Sequence, residues 1–294
     1  MKILILGKCG NLASELYLIL KKKYIVDTIS ISQNNKFDFK NKNLFIKCIK
    51  DKINLFSPDI IINSVGFTNV DLCEYNKNEC KKINADALKH ISHICKKKKI
   101  ILVHFSSDYI FDGNCKKSYK ENSKCNPINY YGKTKVLAER RIKKSGCRYI
   151  IFRISWIYSY KKKNFINSVI SNIKKNKIIP VVNDQYGAPT SSNFVARYIF
   201  KVLKKIEINK FAFGVYNLSP TNPQSRYNIA LYLRNKIKKN NKNCGRVIPV
   251  KSFDYKRIAK RPKNSRLNVT KIEKSLSLKI PDWKKDLDVF LKKN

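Results

Sequence analysis

The sequence predicts an α/β fold in which a doubly wound parallel sheet is joined to a smaller α/β lobe. Short apolar runs occupy residues 2–6, 58–62 and 99–103, as is typical of parallel strands that are buried on both faces. Stretches with helical spacing of apolar residues lie between them, for example residues 41–56. Strands that alternate with helices in this way form parallel sheets, because each crossover helix covers one face of the sheet.

A turn that contains two glycines follows the first strand. Gly7 and Gly10 precede an amphipathic helix that runs to about Leu20, and Ala13 takes the third small position. Glycine permits a tight turn and a close approach of the backbone to a pyrophosphate, whose charge the N-terminus of the next helix stabilises. The arrangement predicts a Rossmann-type dinucleotide-binding unit, with a purely structural turn as the alternative.

The second predicted strand, residues 24–30, bears on the choice of dinucleotide. An acidic residue at the end of this strand commonly binds the ribose 2′-hydroxyl of NAD. Residues 28–32 contain no carboxylate, and the Lys, Ser and Asn nearby would tolerate a 2′-phosphate, so NADPH is admissible beside NADH. Asp38 and Phe39 follow in a predicted loop, where they either meet the adenine or form an ordinary turn.

A helix predicted over residues 130–144 carries Tyr131 and Lys135 on one face, because residues four apart are neighbours on a helix. A phenol normally titrates near ~10, and an adjacent ammonium favours the phenolate, so Lys135 is expected to lower the pKa of Tyr131. Ser107 follows the strand at residues 99–103, and its hydroxyl can donate to a carbonyl beside the tyrosine. The three side chains predict acid–base chemistry on a carbonyl group.

Composition narrows the classes of protein. The net charge of +43 comes from 63 Lys and Arg against 20 Asp and Glu, but these basic residues are spread along the chain rather than gathered in one block. This distribution predicts solvated surfaces and no specific nucleic-acid binding. No apolar run approaches the ~20 residues of a membrane span, and the N-terminal segment lacks a signal-peptide layout. Nine scattered cysteines without a Cys-x-x-Cys motif are expected to be reduced thiols, which favours a cytoplasmic location.

Several longer motifs occur in order along the chain. The most specific are Asn-Asp-Gln-Tyr-Gly-Ala-Pro-Thr at residues 183–190 and Arg-Pro-Lys-Asn-Ser-Arg-Leu at residues 261–267. The others are Phe-Thr-Asn-Val-Asp at 67–71, Phe-Arg-Ile-Ser-Trp-Ile-Tyr at 152–158 and the closing Pro-Asp-Trp at 281–283. Together with the glycine turn and the Tyr-x-x-x-Lys pair, they resemble the dTDP-4-dehydrorhamnose reductase family of extended short-chain dehydrogenase/reductases from end to end.

The resemblance implies that the 4-keto group of dTDP-4-dehydro-L-rhamnose, a dTDP-4-keto-6-deoxy sugar, is reduced to dTDP-L-rhamnose with hydride from NADPH or NADH. Tyr131 would donate a proton to the developing alkoxide, and Ser107 would hydrogen-bond the carbonyl oxygen. Lys135 would hold the nicotinamide ribose and keep the tyrosine acidic. The resemblance assigns to the dinucleotide, besides Tyr131 and Lys135, the residues Gly7, Gly10, Asn11, Leu12, Asp38, Phe39, Gly66, Phe67 and Thr68. It assigns to the sugar substrate Ser107, Asp108 and Trp156.

The chain is expected to divide softly after Trp156. Residues 1–156 should form the dinucleotide-binding domain, and residues 157–294 mainly a substrate-binding lobe that sends segments back to the sheet. The charges of Arg261 and Arg266 suggest a bidentate clamp on the pyrophosphate of the substrate, with a surface role as the alternative.

Some members of this family dimerise through a magnesium site built from glutamates. Glu15 matches one of those positions, whereas Asn193 stands where a second glutamate would be. The sequence therefore leaves open both the Mg²⁺ and this form of homodimer.

Two other functions stay open at this point. One is a nucleotide-sugar epimerase or dehydratase that uses the same three side chains. A dehydratase would need an Asp-Glu pair after the catalytic hydroxyl, whereas Ser107 is followed by Asp108 and Tyr109, which weakens that alternative. The other is a regulatory subunit without catalysis, which would have no need for an acidic tyrosine.

Overall fold

The computed structural model describes residues 1–8, 10–29, 42–160, 164–238, 244–255 and 257–292. In the helix that begins at residue 42, side chains are described from residue 45 onward. Its strands are β1 (Lys2–Leu6), β2 (Ile25–Ile29), β3 (Ile60–Asn63), β4 (Ile101–Ser107), β5 (Tyr149–Ile154), β6 (Ile157–Tyr158), β7 (Ile178–Val182), β8 (Tyr186–Gly187), β9 (Thr190–Ser191), β10 (Gly214–Leu218), β11 (Gln224–Ser225) and β12 (Arg246–Val250). Its α-helices are α1 (Asn11–Leu20), α2 (Lys42–Phe56), α3 (Val70–Tyr75), α4 (Lys77–Lys81), α5 (Ala87–Lys97), α6 (Tyr130–Ser145), α7 (Phe165–Lys174), α8 (Ser192–Glu207), α9 (Arg226–Lys238), α10 (Thr270–Leu276) and α11 (Trp283–Leu291).

Six parallel strands form the central sheet in the order β10-β5-β4-β3-β1-β2. Side chains alternate between its two faces: Ile3 and Ile5 pack with α1 and α8, whereas Leu4 and Leu6 pack with α2, α5 and α6. Helices thus cover both faces, as the short apolar runs predict for buried parallel strands. The predicted doubly wound α/β fold is confirmed.

A second core lies beyond β5. Helices α7, α9 and α11 pack around the parallel pair β7 and β12, with Trp283 and Phe290 at the centre. β10 pairs with β5 in the central sheet, and α8 packs on one face of that sheet. Two elements from the second half of the chain therefore belong to the same unit as the central sheet. The division at residue 156 stays a prediction. None of the helices in the described ranges has both the length and the apolar character needed to cross a membrane.

Candidate active site

A cavity of about 490 Å³ opens at the carboxyl ends of the central strands. This is the edge at which open α/β sheets bind ligands. The predicted site residues that line it are Gly10, Asn11, Leu12, Gly66, Thr68, Ser107, Asp108, Tyr131, Lys135 and Trp156. Gly7 and Phe67 are not among the lining residues, and Asp38 and Phe39 fall outside the described residues.

The glycine turn has the shape that a pyrophosphate needs. Gly7 has φ +108°, a conformation that favours glycine, and a Cβ there would lie 3.1 Å from Ser64 Oγ. Its amide donates to Ile29 O, and the amide of Gly10 donates to Gly7 O at 3.0 Å. Helix α1 begins directly after Gly10, so its first backbone amides face the cavity and suit a negative charge.

A buried asparagine that sequence reasoning missed holds the neighbouring loop. Asn84 Oδ1 accepts from the amide of Phe67 at 2.8 Å, and its Nδ2 donates to Phe67 O at 3.1 Å and to Thr134 Oγ1 at 3.1 Å. The clamp therefore joins the loop at Gly66–Thr68 to α6. Asn84 lies in a π-helical turn, Lys82–Asp86, between α4 and α5. The only signal in the sequence is an amide side chain in a helix interior.

Helix α6 brings the predicted catalytic pair to the cavity. Asn129 caps it, because its Oδ1 accepts from the amide of Gly132 at 2.8 Å. Gly132 is required for the packing, since a Cβ there would lie 2.1 Å from Tyr109 O. Lys135 Nζ donates to Phe105 O at 3.0 Å and lies 5.8 Å from the centroid of the Tyr131 ring. The helix thereby turns both polar ends toward β4.

Ser107 stands at the end of β4, where its hydroxyl donates to Asp108 Oδ1 at 3.0 Å and accepts from the amide of Tyr109 at 3.2 Å. Ser107, Tyr131 and Lys135 are all buried and line the same cavity. The structure therefore brings together the three side chains that the sequence selects.

Burial, rather than the lysine, sets the pKa of Tyr131. Desolvation raises the pKa of this phenol above its ordinary value, the charge of Asp108 adds to the rise, and the hydroxyl of Ser107 opposes it. The net change is thus a rise, and the lowering of this pKa by Lys135 stays a prediction that burial outweighs. Burial lowers the pKa of Lys135 to about 8. At neutral pH the phenol is protonated and most of the lysine carries its charge.

Asp108 is the carboxylate nearest to this set. Burial raises its pKa to about 6, whereas the hydroxyls of Ser265 and Ser107 and the charge of Arg226 act in the opposite direction. Its Oδ2 atom is buried without a hydrogen-bond partner in the described residues. A buried carboxylate oxygen of this kind at a cavity wall is ready to accept a hydroxyl from a ligand.

Trp156 forms a wall of the cavity, as predicted, but it has a neighbour that the sequence does not indicate. Its backbone has φ +40°, and Gly187 lets the indole pack closely, since a Cβ there would lie 2.6 Å from Trp156 Cε2. The guanidinium of Arg226 lies 4.0 Å from the indole centroid and also lines the cavity.

The two arginines predicted to clamp a pyrophosphate are engaged elsewhere. Arg261 pairs with Asp71 at 2.8 Å and donates to Ala259 O at 2.9 Å, and it lines a second cavity rather than the first. Arg266 donates to Asn264 Oδ1 at 2.8 Å and to Lys116 O, and it lines neither cavity. The clamp by this pair stays a prediction, and neither guanidinium lines the catalytic cavity, because charge alone does not show which way a side chain turns.

The predicted metal position is satisfied within the chain. Glu15 Oε2 accepts from Asn193 Nδ2 at 2.9 Å, so an amide stands where a second carboxylate would share a cation. Within the described ranges, no cluster of three or more His, Cys, Asp or Glu side chains is arranged to hold a metal ion.

Comparison with known proteins gives a consistent result. The family model described as "RmlD substrate binding domain" matches residues 1–294. The dTDP-4-dehydrorhamnose reductase of Aggregatibacter actinomycetemcomitans is 29% identical over 291 residues, which cover 97% of this chain and 97% of the relative. The enzyme of the same name from Escherichia coli K12 is 29% identical over 287 residues, 96% of this chain and 94% of the relative.

Solved structures agree with the sequence relatives. A dTDP-4-dehydrorhamnose reductase from Clostridium acetobutylicum superposes with a TM-score of 0.86 at 30% identity, covering 99% of each chain. One from Bacillus anthracis in complex with NADP superposes with a TM-score of 0.88 at 27% identity, covering 100% of this chain and 99% of that one.

Proposed function

This chain belongs to the RmlD substrate binding domain family, and we propose that its cavity carries out the reaction of its relatives through Ser107, Tyr131 and Lys135. The chain is an NADPH-dependent oxidoreductase that reduces dTDP-4-dehydro-L-rhamnose to dTDP-L-rhamnose, in dTDP-rhamnose biosynthesis. The observation that carries the residue roles is the meeting of a protonated phenol, a charged ammonium and a hydroxyl in one cavity beside a dinucleotide turn.

The residues around the turn fit a dinucleotide. Gly7 packs tightly against Ser64 and Val65, and Gly10, Asn11 and Leu12 present the N-terminus of α1 to the cavity, where a pyrophosphate is stabilised. The Gly66–Thr68 loop, fixed by Asn84, would support the nicotinamide half. When bound, the nicotinamide supplies the hydride. We propose NADPH as the main hydride donor, and the rate with NADH is the comparison to measure.

The protein's own groups would handle the proton. Because burial keeps Tyr131 protonated at neutral pH, its phenol can donate to the oxygen that gains negative charge as the ketone is reduced. Ser107 would donate a hydrogen bond to the same oxygen, and the ammonium of Lys135 would stabilise the phenolate that remains. Burial strengthens each of these interactions, because the local dielectric is low.

A turnover assay tests the proposal. Purified protein should oxidise NADPH only when a dTDP-4-keto-6-deoxyhexose is present, and mass spectrometry should find the corresponding alcohol. Tyr131→Phe should lose turnover by at least about 100-fold, the lower range for a general acid, while its affinity for NADPH stays within about twofold. An active Tyr131→Phe enzyme would sink the assigned proton donor. Ligand binding by the wild type without turnover would instead favour the regulatory subunit.

Location and assembly follow from this function as further proposals. We place the protein in the cytoplasm, since its substrates are nucleotides. A homodimer is a proposal that light scattering would test. Any dimer would not use a glutamate-built magnesium site at Glu15, because Asn193 occupies the second position.

A further inference from the structure

We propose that Arg226 binds the diphosphate of the nucleotide-sugar substrate, an inference that rests on the proposed function. No sequence motif points to this residue, and it takes over the role expected of Arg261 and Arg266.

Arg226 lies between two cavities. It lines the catalytic cavity of about 490 Å³ and also a second cavity of about 360 Å³. The second cavity is lined by apolar side chains such as Phe165, Val169 and Val181, together with the amides of Asn172 and Gln185. A substrate whose sugar reaches Tyr131 would place its diphosphate near this boundary and its nucleoside in the second cavity.

The guanidinium is held in place by its surroundings. It stacks on Trp156 at 4.0 Å from the ring centroid and lies 5.0 Å from that of Phe165. Its Nε donates to Gln185 Oε1 at 3.3 Å, and the backbone amide of Arg226 donates to Gln185 O. Gln185 is itself fixed, because its Nε2 donates to Ser252 Oγ at 2.9 Å. The motif at residues 183–190 therefore positions the arginine.

Among the residues that the structure describes, no carboxylate forms a close ion pair with Arg226, although the charge of Asp108 acts on it. The arginines that form ion pairs in the described part of the chain are Arg141, Arg153, Arg197 and Arg261. Burial lowers the pKa of Arg226, with Tyr109 and Asp108 opposing that change and Arg257 adding to it. A partly buried guanidinium that forms no close ion pair gains from a phosphate, which it can bind through two parallel hydrogen bonds.

A purely structural role is the competing explanation. In that case the guanidinium would serve only to pack Trp156 against Phe165, and its removal would disturb every ligand of the two cavities alike. The diphosphate role instead predicts a loss for dTDP and for the sugar nucleotide, whose diphosphate would contact Arg226, and none for thymidine or for NADPH, whose pyrophosphate would lie at the glycine turn. Comparison of dTDP with thymidine separates the two explanations.

The experiment uses the full-length protein and two variants at this position, Arg226→Gln and Arg226→Lys. Arg246→Gln is the control, because Arg246 is an exposed strand arginine and its loss changes the net charge by the same amount. Calorimetry would give the Kd of each protein for dTDP, thymidine and NADPH, and steady-state kinetics the KM for the dTDP-4-keto sugar at saturating NADPH.

Arg226→Gln should weaken dTDP binding and raise the sugar-nucleotide KM about 10- to 100-fold, the range for a charged hydrogen-bonded contact. Its affinities for thymidine and NADPH should stay within about twofold, and Arg226→Lys should recover part of the loss. Equal losses for dTDP and thymidine, or no loss for either, would overturn the assignment. If the wild type shows no turnover, the proposed function fails, while the dTDP and thymidine comparison still decides the role of Arg226.

Discussion

The basic limb of the pH–activity profile should follow the charge of Lys135. With a pKa of about 8, roughly nine tenths of this side chain is charged at pH 7, one half at pH 8 and one tenth at pH 9. The pKa of Tyr131 is raised, so the phenol keeps its proton across the same range. If catalysis needs the ammonium, kcat/KM should fall about twofold by pH 8 and about tenfold by pH 9.

The assay is the rate of NADPH oxidation at limiting dTDP-4-keto sugar from pH 5.5 to 9.5, with enzyme-free blanks at each pH. Because kcat/KM reports groups of the free enzyme, its basic limb is the one to compare with the structure. Lys135→Arg keeps a charge throughout this range, so its residual activity should have no basic limb below pH 9.5. Asp108, with a pKa of about 6, should produce an acid limb that disappears in Asp108→Asn.

A second measurement covers the case in which Lys135→Arg is too slow to follow. In Tyr131→Phe, the affinity for NADPH should weaken between pH 7 and pH 9 as the lysine loses its charge. A basic limb that persists unchanged in Lys135→Arg would refute the reasoning. So would constant activity up to pH 9.5 in the wild type.

Two further changes test the packing that supports the site. Asn84→Ala leaves the N–H and C=O of Phe67 without their partner. Denaturant unfolding should therefore show a free energy of unfolding lower by about 2–5 kcal/mol, and the Kd for NADPH should rise. Wild-type values of both quantities would refute the clamp. Glu139→Gln leaves the buried charge of Arg153 unpaired and should lower the free energy of unfolding by about 3–5 kcal/mol in the same assay. The control is Asp288→Asn, at an exposed pair with Lys236, which should lower it by at most about 1 kcal/mol. Equal losses would contradict this account.

The central sheet could be predicted because its signals are local. A parallel strand covered on both faces is mostly apolar, and β1, β3 and the first three residues of β4 are marked in this way. The spacing of Tyr131 and Lys135 is local too, since four residues make about one helical turn. Ser107 could be found from its position at the end of a strand.

The rest of the site depends on contacts between distant parts of the chain. The π-helical turn at Lys82–Asp86 holds Asn84 against Phe67, which is 17 residues away. Arg226 begins α9 and contacts Trp156, which follows β5 and lies 70 residues earlier in the chain. The hydrogen bond of Arg266 to Lys116 O likewise joins residues 150 apart in the chain, which no local pattern describes.

The protonation state of the catalytic pair is also a product of the tertiary structure. The same burial raises the pKa of Tyr131 and lowers that of Lys135, because desolvation disfavours the charged form of each. At neutral pH this leaves a neutral phenol beside a mostly charged ammonium, which is the state that can give a proton to a ketone oxygen. Oxidation of an alcohol would need the phenolate, which burial disfavours. The packing around α6 therefore holds the pair in the protonation state from which ketone reduction starts, whereas a solvent-exposed Tyr-x-x-x-Lys pair would titrate nearer its ordinary values.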